Sequence, residues 1–287
     1  MTQQAVGIAL ERVSKRYRAR GADILAVEGV SLAVRPGEFV ALVGPSGCGK
    51  STLLLMIAGL IPPTGGTIAV DGQVRTRPYT DVGVVFQRDA LLEWRTVLGN
   101  VLLPAEIKNL SRAAAVDRAR QLLQRVGLAG FEHRYPHELS GGMRQRVALC
   151  RALIHDPPLL LMDEPFAALD AFTREELGTY LLGLWQDRQN TVVFVTHAIE
   201  EAVLLADRVV VMSPRPGRVV QSVEVPLGRP RTPALREEDA FHSAVRRIRD
   251  LFRSQGLLGP PGEAGRGRGA GRVREHTDEK GVTPCPS

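Results

Sequence analysis

Gly44-Pro-Ser-Gly-Cys-Gly-Lys-Ser51, followed by Thr52, has the G-x-x-x-x-G-K-[ST] spacing of a phosphate-binding loop. In such a loop Gly44, Gly47 and Gly49 let backbone N–H groups approach the α- and β-phosphates of a nucleotide, with Pro45, Ser46 and Cys48 completing the turn. Lys50 reaches the β- and γ-phosphates, and the Ser51 hydroxyl ligates Mg²⁺. Farther along, the apolar run Leu159-Leu-Leu-Met162 leads straight into Asp163-Glu164. Two carboxylates at the carboxyl end of a buried strand stand where ligands of parallel sheets gather. Asp163 suits Mg²⁺ held through its water shell, and Glu164 suits a general base that polarises an attacking water. A third segment, Leu139-Ser-Gly-Gly-Met143, opens a helical stretch at Ser140, Gly141 and Gly142. Its N–H groups form a second phosphate site, so one nucleotide would be gripped from two sides.

These groups need a scaffold that holds them at one edge. Phe39-Val-Ala-Leu-Val43 reads as the strand entering the phosphate loop and 52–58 as the helix leaving it. Residues 6–39 read as short strands and turns, 67–72 as a strand running into a tight turn, and 81–87 as one more strand. From 97 to 157 helical periodicity dominates, including 113–126 and 143–154, which predicts a separate helical lobe. Alternation then returns, with strands at 159–162 and 191–196 and helices at 173–186 and 199–206. Fully apolar strands alternating with helices predict a parallel sheet covered on both faces. Beyond 225, Pro226 and 228–233 read as a linker and 239–252 as an amphipathic helix. From 259 Gly, Pro and Arg dominate, a composition that predicts disorder.

Composition narrows the class. A chain of 287 residues with 44% hydrophobic content can bury one large or two small cores. No stretch approaches the roughly 20 apolar residues that span a bilayer. The start, Met1-Thr-Gln-Gln4, lacks the charged-then-apolar pattern of a signal peptide, so any membrane role is expected to be peripheral. Cys48, Cys150 and Cys285 share no pairing or metal-ligand spacing, which fits a reducing compartment. The net charge of +6 is nearly all arginine excess and does not by itself argue for a nucleic-acid partner.

Over 6–225 the chain resembles the ATP-binding subunit of an ABC transporter. Leu139-Ser-Gly-Gly-Met143 is similar to the family's signature motif, Gln87 to its Q-loop glutamine, Ala168-Leu-Asp170 to its D-loop and His197 to its switch histidine. Tyr17 matches the aromatic that stacks on adenine. The resemblance implies an α/β P-loop NTPase core with a parallel sheet, an antiparallel β subdomain and an inserted helical subdomain. It divides the chain into an ATPase domain at 1–226, with the helical subdomain at about 89–157, a linker and C-terminal helix at 227–258, and a tail at 259–287. It also implies ATP and Mg²⁺ as ligands, with Ser51, Gln87 and Asp163 on the metal. Glu164, His197 and Gln87 are then catalytic, with His197 bonding the γ-phosphate or the attacking water. Ser140, Gly141, Gly142 and Asp170 contact the nucleotide across a homodimer, or a dimer of related subunits.

A finer resemblance, to the ATPases of nitrate, sulfonate and taurine importers, rests on several segments. These are Val85-Phe-Gln87, Trp94-Arg-Thr-Val97, the 135–147 run, Met162-Asp-Glu-Pro-Phe166 and Met212-Ser-Pro-Arg-Pro-Gly-Arg218. It implies transmembrane permease subunits as partners, an extracytoplasmic substrate-binding protein as an indirect one, and a place on the cytoplasmic face of the cell membrane. No nucleic acid is expected. The alternative is a soluble ABC ATPase of complex assembly or nucleic-acid remodelling. Glu93 and Gly99 depart from that branch, which usually has proline and glutamate there, and they lie in the segment facing the membrane partner. Ala167 and Ala198 also depart, without removing a group assigned to catalysis.

Overall fold

Every residue of Phe39–Val43, Leu159–Asp163 and Thr191–Thr196 is buried, as strands covered on both faces require. The structure is a computed structural model that describes residues 4–19 and 22–256; the segment expected to be disordered, 259–287, lies outside the described residues. In chain order the first elements are β1 (Ile8–Ala19), β2 (Ala22–Val34), β3 (Phe39–Val43), α1 (Lys50–Ile57), β4 (Gly65–Val70), β5 (Gln73–Val74) and β6 (Val82–Val85). Three helices follow, α2 (Val97–Ile107), α3 (Arg112–Arg125) and α4 (Gly141–Leu153). The remainder is β7 (Leu159–Asp163), α5 (Ala171–Arg188), β8 (Thr191–Thr196), α6 (Ile199–Leu205), β9 (Arg208–Met212), β10 (Val219–Glu224) and α7 (Asp239–Ser254).

A six-stranded sheet has the order β10-β9-β3-β8-β7-β6, parallel throughout except for β10. A second, antiparallel sheet has the order β2-β1-β4-β5. Alternate residues of β3 feed two different cores, because successive strand side chains point to opposite faces. Phe39, Ala41 and Val43 pack with the helical side, whereas Val40 and Leu42 pack with α1 and the antiparallel sheet. Each fully buried Val or Leu contributes about 1.5–3 kcal/mol, so the two cores hold the carboxyl ends of β3, β7 and β8 side by side. Those ends carry the phosphate loop, Asp163-Glu164 and His197.

Several local expectations shift. Where short strands were expected, Ile8–Ala19 and Ala22–Val34 form two long paired ones, with register breaks after Leu10, Val13 and Lys15. Arg12 has φ 50, so the bulge there breaks the period-2 pattern that marks a long strand. Helix α4 starts at Gly141, ahead of the expected 143, because Ser140 caps it by accepting the Met143 N–H at 3.3 Å. Strand β9 was not anticipated, although its consecutive valines carried the signal.

Residues 228–233 are docked on the core instead of spanning freely. The Arg231 guanidinium, 3% exposed, donates to the carbonyls of Val203, Leu204, Ala206 and Leu227 at 3.0, 3.3, 2.7 and 3.1 Å. It satisfies the open carbonyls at the end of α6. Burial, with the Arg229 charge beside it, pushes Arg231 down to about 10, so it stays charged at neutral pH. Arg229 pairs with Asp207 at 2.8 Å and lies 4.1 Å over the Trp185 ring.

In the helical group, fully buried Asn100 accepts the Leu92 N–H at 2.7 Å. It also donates to the carbonyls of Leu92, Arg95 and Thr96. One side chain thereby fixes the 91–96 turn that displays Trp94, 74% exposed.

Candidate active site

The phosphate loop joins β3 to α1, and Gly49 caps the helix at φ 102 with no side-chain bond to the first turn. A Cβ at Gly49 would stand 2.8 Å from the Ala26 carbonyl oxygen, so the close approach of β2 demands glycine as much as the backbone angle does. The first N–H groups of α1 are left for an anion. Lys50, 5% exposed, donates from Nζ to the carbonyls of Gly44 at 2.8 Å and Pro45 at 3.1 Å. A phosphate oxygen entering the loop is a charged acceptor and competes well for the same ammonium.

Ser51 donates its hydroxyl to Oδ1 of Asp163 at 3.0 Å, joining the start of α1 to the end of β7. Burial raises the Asp163 carboxyl above its ordinary range and the neighbouring Glu164 charge adds to this, against the Ser51 hydrogen bond and the Lys50 charge. Glu164, the next residue, has φ 48 and donates its N–H to the Val195 carbonyl at 2.9 Å. A non-glycine residue in the left-handed region costs about 1–3 kcal/mol, held here by the flanking strands. The turn aims the carboxylate out of the sheet, where Oε2 lies 3.4 Å from Gln87 Nε2 and 3.4 Å from His197 Nδ1.

One cleft of about 680 Å³ gathers Tyr17, Gly44, Pro45, Ser46, Gly47, Gly49, Lys50, Ser51, Thr52, Gln87, Glu164 and His197. Cys48 packs beneath the loop at 1% exposure, and burial raises its thiol. Tyr17 stands at the outer wall, 39% exposed, with its hydroxyl 3.5 Å from Thr52 Oγ1. A half-open ring there suits stacking on a flat base. Ser140, Gly141, Gly142 and Asp170 do not line this cleft. Asp170 instead caps α5, accepting the Thr173 N–H at 3.0 Å and hydroxyl at 2.7 Å, and these bonds hold its carboxyl below the ordinary range.

Sequence reasoning missed Ile24, Ala26, Ile199, Arg215 and Phe252, which also line the cleft. Arg215 lies in Met212-Ser-Pro-Arg-Pro-Gly-Arg218, a run whose residue types and spacing carry no local signal of phosphate binding. A second omission is the link from the Asp170 turn to His197. Arg174 donates to the Leu169 carbonyl at 3.2 Å and pairs with Glu201 at 3.4 Å. Glu201 accepts the hydroxyl of Thr196, the residue before His197, at 2.8 Å. Helix α4 is tied to the Gln87 segment in a similar way. Gln145 donates to the Phe86 carbonyl at 3.2 Å, and Arg144 pairs with Asp89 at 2.8 Å.

The ABC transporter family profile matches residues 27–167. The chain is 48% identical over 226 residues to an uncharacterized ABC transporter ATP-binding protein of Methanocaldococcus jannaschii, covering 79% of this chain and 85% of that one. The protein belongs to the ABC transporter ATP-binding proteins. It is an ATP-binding cassette that hydrolyses ATP. The taurine import ATP-binding protein TauB of Burkholderia thailandensis is 50% identical over 213 residues, 74% of this cassette and 82% of TauB. The aliphatic sulfonates import ATP-binding protein SsuB of Bacillus cereus is 39% identical over 251 residues, 88% and 98% of the two chains. Among solved structures, a dimeric post-hydrolysis ATP-binding cassette bound to ADP and Pi superposes with TM-score 0.70 at 35% identity. That match covers 76% of this cassette and 98% of the other chain.

Proposed function

We propose that this cassette is the ATP-hydrolysing subunit of an importer for a small anion of the taurine, sulfonate or nitrate kind, docked as a dimer on a separate permease at the cytoplasmic face of the membrane. The observation that carries the chemistry is the meeting of Gln87, Glu164 and His197 at one carboxylate oxygen inside the phosphate-loop cleft. Glu164 is the general base for the attacking water, and His197 and Gln87 orient that water and the γ-phosphate. Tyr17 stacks on adenine, and the 44–52 segment binds the phosphates.

The oxygens of Ser51 and Asp163, 3.0 Å apart, fit a hard divalent cation. Ser51, Asp163 and Gln87 would hold Mg²⁺ together with substrate phosphates and water. When bound, the ion neutralises charge on the β- and γ-phosphate oxygens.

Because Ser140, Gly141, Gly142 and Asp170 lie outside the cleft of their own chain, they are read as serving the ATP of a partner chain. The dimeric cassette of 35% identity supports that reading. A γ-phosphate contacted from both sides favours the closed dimer, and hydrolysis removes the bridge. Moving a closed fraction from 1:99 to 99:1 takes about 5.5 kcal/mol of differential binding. Residues 1–226 are read as the ATPase domain, about 89–157 as its helical lobe, and 227–258 as a linker and C-terminal helix. The lobe carries both exposed Trp94 and the Ser140 turn, and so passes permease movement to the nucleotide. No described helix is long and apolar enough to cross a membrane. The extracytoplasmic binding protein selects the cargo.

Co-expression with a candidate permease of the taurine, alkanesulfonate or nitrate class tests the proposal. The expected result is recovery of the cassette with membranes and ATP-dependent uptake of taurine, an alkanesulfonate or nitrate. Recovery wholly in the soluble fraction, with ATPase activity indifferent to the permease, would point to a permease-free ATPase.

A further inference from the structure

The 213–218 loop between β9 and β10 touches the phosphate loop at two successive peptides. Arg215 donates from Nε and Nη2 to the Gly47 carbonyl at 3.2 and 3.1 Å. Two residues on, Gly217 passes so close to the next carbonyl that a Cβ there would stand 1.9 Å from Cys48 O. The loop is itself tethered to β2. The Gly217 N–H donates to the Ala26 carbonyl at 2.9 Å, and the Gly217 carbonyl accepts the Glu28 N–H at 3.0 Å. Arg218 pairs with Glu28 at 2.6 Å.

A carbonyl and the N–H of the following residue belong to one planar unit and point in opposite directions. With the carbonyls of Gly47 and Cys48 turned toward the 213–218 loop, the N–H groups of Cys48 and Gly49 face the other way, into the phosphate loop. There the Cys48 N–H makes a long 3.3 Å bond to the Pro45 carbonyl, which a charged phosphate oxygen replaces as the stronger acceptor. A phosphate cradle is made of such convergent backbone donors. Arg215 also lines the cleft, which puts a second cation beside it in addition to Lys50.

We infer that Arg215 is a positioning residue for the nucleotide phosphates: it pins the Gly47–Cys48 peptide so that the Cys48 N–H is presented to the phosphate. Its charge adds to the attraction for a di- or triphosphate. The inference rests on the reading that residues 44–51 hold the phosphates of ATP.

The test compares Arg215→Ala, Arg215→Lys and Lys50→Ala with the unaltered protein, using ADP as the binding probe and ATP turnover as the kinetic one. For Arg215→Ala, ADP affinity and KM for ATP are expected to worsen about tenfold while kcat stays within about twofold and Tm is unchanged, because a ground-state contact is lost. Arg215→Lys, which keeps the charge and one donor, should recover part of the affinity. Unchanged ADP affinity in Arg215→Ala, a fall in kcat with KM intact, or a loss of affinity accompanied by a lower Tm would each overturn the inference. Lys50→Ala separates the two levels. If it also retains full ADP affinity, the phosphate-loop reading is what fails; if it loses affinity while Arg215→Ala does not, only the role of Arg215 falls.

Discussion

Glu164 Oε2 and His197 Nδ1 stand 3.4 Å apart although 33 positions separate them in the chain (197 − 164). The pairing follows from β7 and β8 lying side by side in parallel register, so that both strands deliver their next residue to the same edge. The left-handed turn at Glu164 then swings its carboxylate toward the histidine and Gln87.

Replacing Glu164 with glutamine keeps the shape and removes the carboxylate proposed as the base. ATP turnover should fall by about 10²–10⁴, the usual contribution of a positioned general base. ATP binding should persist, and the variant should accumulate as a dimer in ATP on size-exclusion chromatography. Turnover within about tenfold of the unaltered protein would exclude Glu164 from that role.

Mixing two inactive variants tests the shared site. Lys50→Ala damages the phosphate loop and Gly141→Asp the Ser140 turn, and each alone should be inactive. In a mixed dimer one site combines the sound phosphate loop of one chain with the sound turn of the other. Phosphate release from the mixture should therefore exceed the sum of the separate variants, and strict additivity would exclude a site shared between chains.

Arg231 holds the carboxyl end of α6, whose other end follows His197. Arg231→Met leaves the carbonyls of Val203, Leu204, Ala206 and Leu227 without their donor. The expected destabilisation is about 2–4 kcal/mol, read from the urea midpoint. Arg231→Lys, which restores a charged donor without the planar fork, should recover part of it. A midpoint unchanged by Arg231→Met would show that water satisfies those carbonyls.

His155 makes stability fall with acid. Burial, with the Lys108 charge beside it, pushes its imidazole down to about 4 from 6.5, against the opposing pull of Asp81. Between those values the unfolded chain binds the proton and the folded chain does not, so stability drops as pH falls from 6.5 to 4. The loss is at most about 3 kcal/mol and is complete once pH passes below the folded value. Urea midpoints of His155→Gln across this window should lie on a flatter curve; an identical slope would exclude His155 as the source.

Much of the site was legible before any coordinates. The phosphate loop, the carboxylate pair and the Ser-Gly-Gly turn are contiguous motifs, and their chemistry is written in residue type and spacing. The apolar runs of β3, β7 and β8 were equally plain, because a strand buried on both faces is apolar along nearly all of its length. The long β1–β2 hairpin was not, since its bulges interrupt the alternation by which strands are read. Arg231 resembled a linker residue because a buried guanidinium that caps a helix has no local signature.

The sequence by itself determined the reaction class, the contiguous motifs proposed to bind phosphate and the scaffold, because each is encoded over a few neighbouring positions. Only the tertiary structure decided which residues share the cleft. It brought Arg215 to the Gly47 carbonyl across 168 positions and left Ser140 and Asp170 outside. The reason is strand order: β3 lies between β8 and β9, so the loop that follows β9 arrives beside the one that follows β3. That adjacency is settled by hydrogen bonding and packing between distant segments, which no local pattern records.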